Sequence, residues 1–351
     1  MNLVLKEDLD NILHCDFLHW EHYRDAVFLV TGASGLVGSL AVRTLCYVNE
    51  QRNLNLRILL FVRSLEKAEQ MFGHDLKKGT VTAVVGDVRN QIDLHERVDY
   101  IIHAACITES ALMISRPLDT FLTSVEGTKR VLDLAERIHV KSMLYISSME
   151  MYGITREEEN PVSEEKLGYL DLMNVRTSYP EGKRAAEFLC TAYHQEREIP
   201  VKIARLSQTF GAGVSMDDKR VFAQFARSII AGEDIILHTS GYSMGNYCYT
   251  ADMLKGLFCV LEKGGDGQAY NVVNEDNTMR IRDMARMLSR ELGKEDTKLV
   301  FDLPDSSLRY GYAPEVHLRL SGKKLRDLGW RPEISLLDMY KRMIHSWGYE
   351  I

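Results

Sequence analysis

A phenol and an ammonium group lie four residues apart in the segment 178–183, as Tyr179 and Lys183. Positions i and i+4 share one face of a helix, so the two groups can act together. A free tyrosine has a pKa of about 10 and is a poor base at neutral pH. A nearby ammonium and a cationic nicotinamide ring would stabilise the phenolate, so we expect a depressed pKa and a proton-transfer role for Tyr179.

Two serines follow a predicted strand upstream of this pair. Residues 142–146 predict the strand, and Ser147 and Ser148 come directly after it. Ligands in parallel-sheet folds bind at the carboxyl ends of the strands. We predict that Ser148 orients a substrate hydroxyl while Tyr179 takes its proton, and that Ser147 contacts the substrate. A Tyr-x-x-x-Lys pair by itself is more often an ordinary helix surface.

A glycine-rich turn lies between a predicted strand, Ala26–Thr31, and a predicted helix, Leu36–Glu50. In the pattern Gly-x-x-Gly-x-x-Gly, the first glycine permits positive φ, the second lets backbone N–H groups reach a phosphate, and the third allows close packing. The flanking elements favour a dinucleotide pyrophosphate site over a tight structural turn. The candidate cofactor-binding residues here are Gly32, Ser34, Gly35, Leu36 and Gly38.

The ends of the next three predicted strands indicate which cofactor is bound. Arg63 ends the second strand, where an acid selects NAD and an arginine favours the 2′-phosphate of NADP, although Arg63 could equally be a solvated charge. Asp87 and Val88 follow the third strand and suit the adenine amino group. Ala104 and Ala105 follow the fourth and leave room for the cofactor backbone. We therefore predict NAD(P), with NADP mildly favoured.

Strands alternate with helices up to about residue 206, which predicts an α/β fold with a Rossmann-type, doubly wound parallel sheet. A smaller, mixed α/β C-terminal lobe would hold the substrate. The expected division is a helical lead-in at 1–25, the dinucleotide-binding domain at 26–206, and a discontinuous substrate lobe at 207–351 with some segments returning to the first domain. The other predicted strands are Arg57–Val62, Val81–Val85, Tyr100–His103, Val201–Leu206, Ile235–Leu237 and Tyr270–Val273. The other predicted helices end near Met71 or cover Leu118–Ile138, Tyr179–Gln195, Val221–Ala231, Asp252–Lys263 and Arg280–Leu292.

The composition limits the possible partners. The 351 residues carry a net charge of −7 with a pI of about 5.9, which argues against nucleic acid as the main partner. Six scattered cysteines without a Cys-x-x-Cys pair suit a reducing cytosol, and we predict no metal site. No apolar run approaches the length of a membrane span, and residues 1–25 do not form a signal peptide. We expect a cytoplasmic protein.

These motifs resemble the extended short-chain dehydrogenase/reductase superfamily, in particular its NAD(P)-dependent nucleotide-sugar epimerase/dehydratase family. The resemblance covers nearly all of residues 24–347. It implies transient oxidation of the sugar at C4, a second step on the ketone, and usual return of the hydride, in a role such as surface polysaccharide synthesis. Besides the glycine turn and the catalytic pair, it rests on Gly127-Thr128, Arg205-Leu206, Phe210-Gly211, Tyr249-x-x-Asp252 and Leu328-Gly329-Trp330-x-Pro332.

The second step depends on Met149-Glu150. Dehydratases of this family carry Asp-Glu here, and Met149 cannot donate the proton that expels a hydroxyl. UDP-glucuronate decarboxylases carry Ser-Glu, so the resemblance adds Glu150 to the catalytic candidates, although Glu150 could also be a structural acceptor. The segments 176–184 and 216–221 are also similar to the decarboxylases. Epimerase and decarboxylase both stay open.

Three departures from the decarboxylase pattern concern the substrate. A diphosphate-binding arginine is replaced by Gly245, a substrate-binding asparagine by Gln208, and the asparagine before Gly127-Thr128 by Ser124. Compensating cations could be Arg220, Lys219 or Arg309. The predicted substrate-binding residues are Ser147, Gln208, Arg220, Val221 and Arg309.

Two alternatives differ in class. An NADP-dependent carbonyl reductase of the same superfamily would fit Arg63 and the loss of arginine at Gly245, and net turnover of NADPH would distinguish it. A non-catalytic dinucleotide-binding sensor would be expected to lack Tyr179 or Lys183, and both are present.

The resemblance also implies a homodimer, in which helices near 118–138 and 179–195 form a four-helix bundle. Apolar residues on these helices exceed what covering one sheet face requires: Val131, Leu132, Leu134, Ala186, Phe188 and Leu189.

Overall fold

The computed structural model describes residues 2–303 and 315–351. Its strands are β1 Val27–Thr31, β2 Arg57–Val62, β3 Val81–Val85, β4 Tyr100–His103, β5 Ser142–Ser148, β6 Val201–Leu206, β7 Gln208–Phe210, β8 Ile235–Leu237, β9 Met244–Tyr249, β10 Ala269–Val272, β11 Asn274–Arg280 and β12 Leu299–Phe301. Its helices are α1 Leu3–Leu13, α2 Leu36–Arg52, α3 Leu65–Lys78, α4 Ser110–Ser115, α5 Pro117–Ile138, α6 Ser178–Arg197, α7 Val221–Ala231, α8 Thr250–Lys263, α9 Ile281–Glu291, α10 Lys323–Arg326 and α11 Leu336–Ser346.

Seven parallel strands form the central sheet, in the order β10-β6-β5-β4-β1-β2-β3. Each strand is short and apolar because helices cover both faces of a parallel sheet. In β1, Phe28 and Val30 enter one core cluster while Val27 and Leu29 enter the other. The first cluster includes residues of α2 and α8, and the second includes residues of α5 and α6. The predicted doubly wound α/β fold is confirmed.

Short sheets and helices after residue 207 form a smaller mixed region, while α8 packs on the central sheet. One sheet has the order β11-β9-β7, and β8 pairs with β12. Residues 269–272 do not belong to this region, because β10 pairs in parallel with β6 at the edge of the central sheet. Strand β7 of the smaller sheet follows directly on the carboxyl end of β6, and the carboxyl ends of the strands are where a ligand of such a fold is held.

Residues 2–25 are part of the core. Leu9, Ile12 and Leu13 on α1 are buried in the same cluster as α2 and α8. The Asp8 carboxylate, also on α1, accepts hydrogen bonds from Tyr249 (2.6 Å) and Arg342 (2.7 Å). The helix therefore binds the N-terminal segment to strand β9 and helix α11.

Most of the apolar residues that were predicted to be surplus on α5 and α6 are buried within the subunit, so that prediction is largely wrong. Val131, Leu132, Leu134 and Ala186 are fully buried within the subunit, and Leu189 packs against the same cluster. The two helices pack on the sheet and on each other, and these side chains are buried in those contacts. Phe188 alone of the six is exposed.

Candidate active site

The glycine turn has the shape of a dinucleotide cradle. Gly32 follows β1 with a φ of +66°, and a Cβ there would lie 2.6 Å from the backbone nitrogen of Ala105. A Cβ on Gly38 would lie 2.3 Å from the carbonyl oxygen of Gly32. Since only hydrogen fits at both positions, the start of α2 lies directly against the turn.

The N-terminus of α2 is open to an anion. Its N-cap is Gly35, which has no side chain to bind the first N–H groups. Leu36 and Ser34 on either side are partly exposed. A 17-residue helix with uncapped N–H groups attracts negative charge. The turn therefore fits the pyrophosphate of a dinucleotide.

The remaining cofactor candidates line the same edge of the sheet. Arg63 follows β2 and is exposed, and its charge acts on Asp87 after β3. Burial opposes ionisation of Asp87, but the Arg89 N–H and guanidinium outweigh it and hold the pKa of Asp87 below its usual value. Val88 is buried, while Ala104 and Ala105 after β4 are partly buried.

The predicted catalytic pair, Tyr179 and Lys183, lies at the start of α6. Tyr179 and Lys183 are both buried, as expected for two positions on one helix face. The Lys183 Nζ donates a 2.7 Å hydrogen bond to the carbonyl oxygen of Ile146 on β5 and lies 5.8 Å from the centre of the Tyr179 ring. Strand β5 thus fixes the ammonium beside the phenol.

The protein alone does not depress the pKa of Tyr179. Burial raises it above the ordinary value for tyrosine, as do Cys106 and the Glu150 carboxylate, and a hydrogen bond with Ser148 opposes them only in part. In the chain without a cofactor, desolvation of the phenolate exceeds the stabilisation that neighbouring groups provide. The expected depression includes the charge of the nicotinamide ring and stays a prediction.

The two serines after Ile146 point in different directions. Ser148, the last residue of β5, forms a side-chain hydrogen bond with Tyr179 and accepts a hydrogen bond from the N–H of Glu150 at 3.2 Å. Ser147 is buried and donates to Glu187 at 2.5 Å. Successive strand residues face opposite sides, so Ser147 belongs to the interior and is not brought to the cleft.

Glu150 lies at the cleft as one half of an ion pair. Its side chain is partly exposed, and its Oε2 lies 2.8 Å from Nη2 of Arg176. Arg176 also lowers the pKa of Tyr179, so it belongs to the site although no role was predicted for it. The signals in the sequence were its position three residues before the tyrosine and the similarity of the segment 176–184 to the decarboxylases.

Cys106 is a second neighbour that sequence reasoning missed. Its Sγ lies 3.4 Å from Oγ of Ser124 on α5, and its charge when ionised would act on Tyr179. Ser124 itself is buried. Position after β4 was the available signal, since ligand contacts in this fold gather behind the strands.

The predicted substrate residues are dispersed. Gln208 begins β7 and is exposed, and Val221 begins α7. Arg220 is bound by Asp218, with Nη2 2.6 Å from Oδ2, and Lys219 is exposed. Arg309 lies outside the described residues.

Strand β9 shows why no arginine stands at position 245. A Cβ on Gly245 would lie 2.2 Å from the hydroxyl of Tyr247. The Tyr247 phenol is buried and occupies the space where an arginine side chain would begin.

Three comparisons place this geometry among known proteins. Residues 28–273 match the model of the NAD dependent epimerase/dehydratase family. The chain is 30% identical to UDP-glucuronic acid decarboxylase 6 of Arabidopsis thaliana, over 88% of this chain and 85% of that protein. It is 25% identical to dTDP-D-glucose 4,6-dehydratase of Homo sapiens, over 91% of each.

A solved structure with the same fold is UDP-glucuronic acid 4-epimerase from Bacillus cereus in complex with UDP-glucuronic acid and NAD. It superposes with a TM-score of 0.73 at 21% identity, over 91% of this chain and 98% of that chain. In residues 2–303 and 315–351, no helix has the length and apolar character to cross a membrane.

Proposed function

The chain belongs to the NAD dependent epimerase/dehydratase family, and on this premise we propose that it modifies a nucleotide sugar by transient oxidation at C4, as a decarboxylase or an epimerase. The observation that carries the proposal is the grouping of Ser148, Tyr179 and Lys183 behind β5, beside an anion-binding glycine turn.

Proton transfer is assigned to Tyr179. Its phenolate accepts the proton of the C4 hydroxyl, which Ser148 orients by a hydrogen bond. Lys183, held by the Ile146 carbonyl at 2.7 Å, stabilises the phenolate charge from within the protein. Since burial raises the pKa of the Tyr179 phenol, the phenolate needs more stabilisation than the chain provides, and the charge of an oxidised nicotinamide would supply it. This makes proton abstraction dependent on cofactor binding.

The cofactor would be held by the glycine turn, by the start of α2 and by the small residues Ala104 and Ala105. When bound, a nicotinamide dinucleotide supplies the acceptor for the C4 hydride. Asp87, whose carboxylate accepts hydrogen bonds from the N–H and guanidinium of Arg89, would bind the adenine amine. Arg63 supports the NADP preference, because it is an exposed cation at the end of β2, where a 2′-phosphate would lie.

The second step favours decarboxylation over dehydration. Glu150 retains its carboxylate at the cleft, while Met149 beside it has no proton to donate. Arg176 pairs with Glu150 at 2.8 Å and could instead receive the carboxylate of a uronic acid. A C4 ketone lies β to such a carboxylate, so its carbon–carbon bond can break with release of carbon dioxide. The 30% identity to a UDP-glucuronic acid decarboxylase supports this choice.

Binding of the nucleotide diphosphate is assigned to the loop before α7. Arg220 and Lys219 are the cations there, and Gly245 with Tyr247 replaces the arginine used elsewhere in the family. Gln208 and Val221 complete the proposed substrate contacts, with Arg309.

The first experiment is mass spectrometry of products after incubation with a panel of nucleotide sugars and cofactor, with UDP-glucuronate foremost. Loss of carbon dioxide supports a decarboxylase, and an unchanged mass at a new retention time supports an epimerase. Turnover must depend on Tyr179, so Tyr179→Phe should lower kcat by at least about 100-fold and spare cofactor binding. Tyr169→Phe, at an exposed position, is the matched control. An unaltered rate in Tyr179→Phe would contradict the mechanism.

A carbonyl reductase is the second candidate, and Arg63 with Gly245 is the observation that favours it. Such an enzyme consumes NADPH stoichiometrically, whereas internal hydride return leaves the cofactor unchanged. Absorbance of NADPH at saturating substrate distinguishes the two.

The remaining proposals concern context. A homodimer through α5 and α6 is supported by the exposure of Phe188 and Leu118. A cytoplasmic location is supported by six free cysteines, and the family's activities suit synthesis of surface polysaccharide precursors.

A further inference from the structure

The turn that precedes β1 has two histidines on one side and two aromatic residues on the other. Residues Trp20–Tyr23 form a 3-10 helix whose N-cap is His19. Side chains three residues apart eclipse each other in this helix type, so His19 and His22 lie together with ring centroids 5.4 Å apart. Trp20 and Tyr23 form the other eclipsed pair and are buried. The histidine pair is therefore presented on a firmly anchored turn.

Helix α8 brings a carboxylate to these histidines. Phe258 and Glu262 are one turn apart on α8, and the Phe258 ring packs edge-on against Trp20 with centroids 5.0 Å apart. The Oε1 atom of Glu262 consequently lies 2.6 Å from Nδ1 of His19 and 3.6 Å from Nδ1 of His22.

We propose that His19, His22 and Glu262 form a binding site for a divalent transition-metal ion of the zinc class. Their ligand atoms all lie within 4.8 Å of one another. Donors around a tetrahedral ion with bonds of about 2.1 Å stand about 3.4 Å apart. The His22–Glu262 separation of 3.6 Å already matches this spacing, and the His19–Glu262 separation of 2.6 Å would have to widen by less than about 1 Å. Two imidazoles and one carboxylate suit zinc and leave a fourth position for water.

The surroundings of Glu262 support a ligand role. Its side chain is only 7% exposed, while those of His19 and His22 are 55% and 65% exposed. The two imidazoles are the charge partners of this buried carboxylate, and a divalent ion held by all three side chains would supply a larger compensating charge. Oε2 accepts a 3.0 Å hydrogen bond from the backbone N–H of His19, which fixes the carboxylate and directs Oε1 at the two imidazoles, where the ion would replace the His19 Nδ1–Oε1 hydrogen bond. The exposed rings provide the path of entry.

The site lies away from the chemistry. The 3-10 turn leads into the amino end of β1, whereas the glycine turn and Ser148 follow the carboxyl ends of their strands. A bound ion would join the N-terminal segment to α8 and stabilise the folded chain. Among the residues that the structure describes, no other three such side chains meet this closely.

The test uses the full chain, freed of metal by a chelator and titrated with zinc chloride in a calorimeter. We expect one ion per chain and a rise in thermal midpoint. His22→Gln removes an exposed ligand without touching the His19–Glu262 hydrogen bond, so it should fold normally and bind zinc at least about tenfold more weakly. Cobalt(II) should give tetrahedral absorption bands in the wild type that His22→Gln lacks.

His95→Gln is the matched control, because His95 forms an exposed pair with Asp93 (2.7 Å) without a second imidazole. It should keep the wild-type stoichiometry, affinity and zinc-dependent rise in thermal midpoint. The proposal is overturned if the wild type binds no stoichiometric zinc, or if His22→Gln binds it as tightly as the wild type.

Discussion

His103, at the end of β4, is neutral and closely bound on both sides. Its Nδ1 lies 2.7 Å from Oγ1 of Thr31 and its Nε2 lies 3.1 Å from Oγ1 of Thr128. Burial lowers the pKa of His103 from 6.5 to about 3, and the charge of Lys183 adds to this. The residue therefore acts as an uncharged link between β1, β4 and α5. Because its imidazole is neutral, it places no second positive charge near the Lys183 ammonium that supports Tyr179.

This lowered pKa makes the fold sensitive to mild acid. Between pH 6.5 and 3 the unfolded chain binds a proton at His103 that the folded chain does not, so the free energy of unfolding falls as the pH decreases through this window. From pH 7 to pH 5 the loss due to His103 is about 2 kcal/mol, at 1.36 kcal/mol for each unit below 6.5. Urea denaturation at the two pH values should show this loss in the wild type and not in His103→Gln.

Gly73→Ala provides the control, since it adds a methyl group where no atom lies within 4 Å, changes no titratable group and should retain the full pH dependence of the wild type. Equal acid sensitivity in His103→Gln and the wild type would mean that His103 is protonated in the folded state.

Which residues lie at the cleft could be predicted from the sequence only where their spacing within one local element determines their geometry. The glycine turn and the Tyr179–Lys183 pair are such cases, because the turn and one helical turn determine the geometry. Arg176 reaches Tyr179 from the 3-10 turn Val175–Thr177 before α6, and Cys106 reaches it from the loop after β4, so their positions depend on the tertiary fold. Strand β5 ends at Ser148, two residues later than predicted, so Ser147 lies within the strand and not after it. The alternation of the strand then directs Ser147 to the interior, which is why its predicted substrate contact was wrong.

At the scale of elements, the junction of β1 with α2 permits a sharp test. A Cβ on Gly38 would lie 2.3 Å from the Gly32 carbonyl oxygen, so Gly38→Ala must push α2 away from the turn. We expect dinucleotide affinity to fall by at least about tenfold, since the N–H groups no longer point at the pyrophosphate. Isothermal titration with NADPH and NADH measures the loss.

Gly73 on α3 is the matched substitution, because a Cβ there meets no atom within 4 Å. Gly73→Ala should leave the affinity unchanged and raise the free energy of unfolding by up to about 1 kcal/mol. Equal affinities in the two variants would show that the turn is not the phosphate site.

The elements that sequence patterns predicted best are the buried strands. Arg57–Val62, Val81–Val85, Tyr100–His103 and Val201–Leu206 have the predicted bounds, because an apolar run between helices has few other solutions. Strand β11 was missed since it is polar and its pairing with β9 is interrupted between Asn274 and Met279. Tertiary contacts, such as the Asn277 side chain donating to the Ile334 carbonyl, hold it in place.

For the whole molecule, the N-terminal segment changes how the domains are understood. It was predicted as a lead-in, yet α1 lies against α8 and α11, and the turn at residues 19–22 reaches the far end of α8. Amphipathic spacing predicted the helix, while its partners lie more than 200 residues away in the chain and gave no local signal. One helix, α8, thus connects both ends of the chain to the central sheet.

The proposed homodimer depends on the apolar residues of α5 and α6 that remain exposed in the subunit. Phe188 on α6 is 70% exposed, and Leu118 on the neighbouring α5 is exposed as well. In a two-fold dimer each contact occurs twice, so burying Phe188 contributes about 1.5–3 kcal/mol per copy. Phe188→Glu should therefore weaken the dimer by about 100-fold or more.

Sedimentation equilibrium at micromolar concentration should find a wild-type dimer and a Phe188→Glu monomer. Leu3→Glu, at a position 71% exposed on α1, should remain dimeric because α1 lies away from the helix pair. A monomeric wild type would contradict the dimer, and dissociation by both variants alike would place the interface elsewhere. The same two helices carry residues of the candidate active site, because Ser124 on α5 lies beside Cys106 and Tyr179 is in the first turn of α6. Loss of the interface is therefore also expected to lower turnover.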